Sequence, residues 1–150
     1  MGRQVRQAAD AAGKNDMDKG TALSVEDAII RMKAEILAYD WRINRRRVDL
    51  LLAATSALGG RFDDNKVQRS LLKMIVSVLG YIKKREKTYL PSSLDFLKET
   101  MAHFIRIYED TACGPAEQKI IFKTAYTRFI NLKRKVQKQI QAEKISRATK

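Results

Sequence analysis

The chain has 150 residues, 45% of them hydrophobic, with two prolines and seven glycines, which suits one helix-rich domain with a single core better than a sandwich or barrel. Thirty lysines and arginines against seventeen aspartates and glutamates leave a net charge of +13, so a partner drawn in by long-range electrostatics is anionic. One cysteine and one histidine exclude an internal disulfide and a zinc module built from the usual sulfur and nitrogen ligands, and no apolar run nears the roughly 18 to 20 residues that span a bilayer.

Residues 1–23 are small and polar, with little surface to offset the entropy of ordering, so a flexible tail is expected there and a helical domain over 24–150. With no signal-peptide core at the amino terminus, a cytoplasmic location is expected. Ser24 with Asp27 forms an imperfect capping box, so the first helix should begin near Val25. Two adjacent seams follow, Ile29, Met32, Ile36, Tyr39 and Ile43 beside Ile30, Ala34, Leu37, Trp41 and Val48, and the pattern continues through Leu50, Leu51, Leu52 and Leu58 to a stop at Gly59-Gly60. Unbroken, such a helix over 25–58 is a rod of roughly 50 Å. Asn44-Arg45-Arg46-Arg47 interrupts the apolar seam and is the place for a bend.

A second helix is expected over 65–88, capped by Asp63 or Asp64, with Val67, Leu71, Leu72, Met74, Ile75, Val78, Leu79 and Ile82 covering more than one face. It ends in Lys83-Lys84-Arg85-Glu86-Lys87, and Leu90-Pro91 resists continuation. Ser92 or Ser93 should cap a third helix over 93–111 bearing Leu94, Leu97, Met101, Phe104, Ile105 and Tyr108. Pro115 suits the first position of a fourth, over 115–145, with a stripe of Phe122, Ala125, Phe129, Leu132, Val136 and Ile140. Short connections favour antiparallel neighbours. The expected fold is therefore all-α, an antiparallel four-helix bundle with long first and last helices and a flexible N-terminal tail. Its core should contain Ile36, Leu37, Leu72, Ile75, Leu79, Leu97, Phe104, Phe122 and Phe129.

Three stretches stand out together: Glu35-Ile36-Leu37-Ala38-Tyr39-Asp40-Trp41-Arg42-Ile43, Leu79-Gly80-Tyr81-Ile82-Lys83-Lys84-Arg85, and Pro91 with Leu94 to Phe96-Leu97. They resemble a recurring pattern in bacterial helical-domain proteins without an assigned function. The resemblance covers about residues 30 to 110, rests mostly on packing residues, and implies a helical fold without implying an activity.

Catalysis needs a nucleophile, base or metal held in a concave site, and few residues here suit it. His103 has no serine or cysteine motif around it, and its place beside Phe104 reads as structural. Cys113 sits at a helix end before Gly114, and Gly59-Gly60-Arg61 is too short for a phosphate loop. A di-metal bundle needs two Glu-x-x-His pairs, which one histidine cannot furnish. No catalytic, cofactor-binding or metal-binding residues and no small-molecule substrate are expected.

The cationic excess lies almost wholly in residues 59–90 and 114–150. In an up-down bundle the second and fourth helices run parallel, which places Lys83, Lys84, Arg85 and Lys87 towards the same end as Lys133, Arg134, Lys135 and Lys138. With Arg45, Arg46 and Arg47 these are the expected partner-binding residues. The expected role is a non-enzymatic interaction or adaptor protein that engages an acidic protein partner through this basic pole. The alternative is nonspecific nucleic-acid binding, because phosphate-binding charge is present while base-reading motifs are not. The last turns of the fourth helix hold too few large apolar residues for a membrane surface. Trp41, flanked by Asp40 and Arg42, fits either the core or an interface anchor.

Overall fold

The computed structural model describes residues 23–37, 45–86 and 88–148, and every regular element among them is an α-helix. In chain order these are α1 (Val25–Leu37), α2 (Arg45–Leu58), α3 (Lys66–Arg85), α4 (Ser92–Glu109) and α5 (Pro115–Ala148). Residues 1–22 of the tail expected over 1–23 lie outside the described residues, as do Tyr39, Trp41, Ile43 and Lys87.

The chief difference from the sequence expectation is the first element. The span 25–58 is two helices that pack against each other. Arg47 Nε stands 3.4 Å from Glu35 Oε1, whereas one continuous helix would carry those residues about 18 Å apart. α2 thus lies back alongside α1 instead of extending it. Ala28, Ile29, Met32 and Glu35 are the buried face of α1, while Ile30, Ala34 and Leu37 of the second seam turn outward, with Leu37 81% exposed, and Val48, its member on α2, is buried. Leu37 therefore leaves the expected core, Ile36 is half-buried against it, and the long first helix is corrected to a hairpin.

Helix ends follow local chemistry. Ser24 Oγ accepts the Asp27 N–H at 3.0 Å and starts α1 where the capping box places it. Beyond α2, Gly59 N–H bonds to Thr55 O and Gly60 takes a φ of 82°, which glycine adopts without a Cβ penalty. Asn65, rather than either aspartate, caps α3, its Oδ1 accepting the Gln68 N–H at 3.0 Å. α3 stops at Arg85, where Glu86 turns to a φ of 58°. No side chain caps α4; Ser93 is buried and its hydroxyl donates back to Leu90 O.

Side-chain pairs set the directions of neighbours. Arg45 with Glu86 and Asp49 with Lys83 run α2 against α3. Arg106 with Glu117, Glu99 with Arg128 and Phe96 with Phe129 run α4 against α5. Asn65 with Gln118, Tyr81 with Gln139 and Arg85 with Glu143 make α3 and α5 parallel. α1 to α4 close a ring of neighbours, α4 returning to α1, and α5 packs on α3 and α4. The core holds Met32, Leu51, Leu58, Leu71, Ile75, Leu79, Leu97, Met101 and Phe104 at full burial, with Phe62 edge-on to Phe104 at 5.1 Å. α5 buries only Ile121, Ala125 and Leu132, so Phe122, Phe129 and Val136 are half-buried and Ile140 is exposed.

Candidate functional site

Antiparallel α2 and parallel α5 bring three separate segments to the end of the molecule where α3 terminates. Lys83 Nζ lies 2.8 Å from Asp49 Oδ1, and Arg45 Nη1 lies 4.0 Å from Glu86 Oε1. Across the other side of α3, the Tyr81 hydroxyl donates to Gln139 Oε1 at 2.8 Å and accepts the Leu90 N–H at 2.8 Å. Gln139 Nε2 donates to Thr88 O at 2.7 Å, and the Arg85 guanidinium pairs with Glu143. These contacts lock α5 to the turn that follows α3.

The expected association of the α3 and α5 clusters rests on their running parallel, and they do. Their levels differ, however: Lys133, Arg134 and Lys135 precede Glu143 by eight to ten residues, about 12 to 15 Å along the axis. They occupy the flank of α5, Lys138 stands between, and Lys144 with Arg147 reach the end itself. Helical phase would have found Arg147, one turn beyond Glu143, but its place opposite Arg85 depends on register. Arg45 joins through the antiparallel packing of α2 on α3, and Arg47 reaches across to Glu35 of α1.

The cations fall into two sets. Arg45, Arg47, Lys83 and Arg85 face Glu86, Glu35, Asp49 and Glu143, which offsets part of the positive charge and holds the side chains in place. Arg46, Lys84, Lys133, Arg134, Lys135, Lys138 and Lys144 are exposed and make no ion pair among the described residues. Lys133 Nζ sits 5.6 Å from the Phe129 ring centroid, and the half-exposed Tyr126 stacks on Phe122 at 5.6 Å. The hydrogen bond to Glu143 raises the Arg85 pKa above its ordinary value, and the same bond holds the Glu143 carboxyl below the usual range. Both groups are thus charged across the physiological range.

The residues weighed for catalysis lie elsewhere. His103 is half-buried on α4, its Nε2 has no hydrogen-bond partner, and burial pushes its pKa down despite Glu99. Burial likewise pushes the Cys113 thiol up, against thiolate formation. Among the described residues no group of three or more His, Cys, Asp or Glu side chains is placed to hold a metal ion, and no helix is long and apolar enough to cross a membrane. Comparison with protein-family models, curated proteins and solved structures found no match to this chain.

Proposed function

We propose that this chain is a non-enzymatic interaction module that binds an acidic protein partner through its basic end and the adjoining flank of α5. The observation that carries the reading is the concentration there of unpaired, exposed cations drawn from α2, α3 and α5, held by Tyr81, Gln139 and the Arg85–Glu143 pair. In this reading α1 to α4 form the antiparallel bundle, and α5 is a strut that extends its charged surface. A rigid set of like charges raises encounter rates with an acidic partner and selects against basic ones.

A second reading, nonspecific nucleic-acid binding, is favoured by the half-exposed Tyr126 ring, two helical turns before Lys133 on α5, since bases stack on exposed rings. Pull-down from nuclease-treated and untreated lysate separates the two. An acidic protein recovered after nuclease treatment, and lost when Lys133, Arg134 and Lys138 are changed to Glu, supports the first reading. Recovery abolished by nuclease selects the second. Recovery that ignores both the charge reversal and added salt refutes both.

A further inference from the structure

A cleft of about 410 Å³ opens between the end of α3 and the last turns of α5, lined by Lys84, Arg85, Thr88, Glu143, Ser146 and Arg147. Three cations surround it against one carboxylate. Arg85 is largely buried, and while its terminal nitrogen engages Glu143, its Nε is enclosed without a hydrogen-bond acceptor. A guanidinium offers several donors in a rigid plane matched to paired oxygens, and the single contact with Glu143 does not use them all. Among the described residues Lys84 is exposed without a carboxylate partner, and Arg147, whose Nε lies 3.5 Å from the Glu143 carbonyl, makes no ion pair and acts on the Glu143 carboxylate only through space.

Helix carboxyl ends carry partial negative charge and oppose an anion. In α3 that opposition is reduced, because two of its last four carbonyls are occupied: Glu86 N–H bonds to Ile82 O at 2.9 Å, and the Thr88 N–H and hydroxyl both donate to Arg85 O, at 3.1 and 3.0 Å. What lines the cleft is then dominated by three full cationic charges around one small opening, unlike the extended row along α5. A compact, multiply charged oxyanion fits such a point better than a polymer backbone of single charges.

We infer that this cleft binds a phosphomonoester group, with Arg85 as the fixed donor and Lys84 and Arg147 closing on the oxygens. The inference rests on the proposed reading of this end as an anion-binding surface and deepens it, the phosphate being carried on a side chain of the acidic protein partner. Free phosphate shares the chemistry, so both sources enter the test.

The test is an amide ¹H–¹⁵N NMR titration of the full chain at constant ionic strength held with chloride. The probes are inorganic phosphate, a phosphoserine peptide, its unphosphorylated counterpart, and oligothymidylate. Saturable shifts centred on Lys84 to Glu86, Thr88, Ser146 and Arg147 are expected with the first two and not with the unphosphorylated peptide. The Lys84→Gln, Arg147→Gln variant should weaken them at least about tenfold, since two charge-assisted contacts are lost. Both residues are exposed and make no side-chain ion pair among the described residues, so the rest of the spectrum should be unchanged. Binding of phosphate but not of the peptide would restrict the cleft to free phosphate and overturn the partner assignment. Shifts scattered over all basic surfaces, no loss in the variant, or tighter binding of oligothymidylate at the same residues would overturn the inference itself. Its failure with the charge-reversal pull-down still positive would leave the proposed function standing; a filled cleft with that pull-down negative would do the opposite.

Discussion

Ile75→Ala tests the rotational setting of α3, on which the outward direction of Lys83 and Lys84 depends. Ile75 is 0% exposed and belongs to a face continued by Val78, Leu79 and Ile82, so the residues that follow Ile82 out of phase with it must point to solvent. The substitution removes three buried carbons, worth about 2.4 kcal/mol at ~0.8 per methylene. A residual cavity on the order of 50 Å³ adds about 1.2 kcal/mol at ~24 cal/mol per Å³, for a total near 3.6 within the usual range of about 2 to 5. Urea unfolding should show this as a lower midpoint with an unchanged slope. Val76 is the matched control, being 43% exposed on the same helix. Val76→Ala should cost less than about 1 kcal/mol, with the gain in helix propensity offsetting part of the lost contact. Equal effects at the two positions, or a cost below about 1 kcal/mol at Ile75, would refute the assigned face and the direction of the basic cluster with it.

Asn65→Ala removes both the cap on Gln68 N–H and the bond to Gln118, and should lower stability by about 1 to 2 kcal/mol in the same assay. His103 has its folded pKa pushed below the ordinary value, so the stability it contributes is complete above the unfolded pKa of about 6.5. That stability declines as pH falls from there towards the folded pKa. His103→Gln should flatten the pH dependence of thermal unfolding in this window, and an unaltered profile would show that His103 is not its source. Cys113, buried and with its thiol pKa raised, should react with a thiol reagent only as fast as the chain opens. Rapid labelling of the native protein would contradict its burial.

Helical periodicity, the Ser24 cap, the Gly59-Gly60 stop and Pro115 are local signals, and each places an element boundary to within a residue or two because its chemistry involves only nearby backbone. Concentration of positive charge in the second half of the chain is likewise a property of composition. Periodicity does not decide whether a helix continues or folds back, since the same i, i+4 spacing serves a rod and a hairpin. That choice fell to what the other helices cover: Ile29 and Met32 are buried and the parallel seam of Ile30 and Leu37 is left outside. The fold-back brings Arg47 to Glu35, and the antiparallel packing of α2 on α3 sets Arg45 beside Glu86. Register between α3 and α5, which matches Arg85 with Glu143 instead of with the earlier lysines, depends on how Ile121, Ala125 and Leu132 seat against α3 and α4. The sequence by itself determined the helices and their charge; which charges meet was decided by packing, because contacts between helices distant in sequence are chosen by shape and burial rather than by spacing.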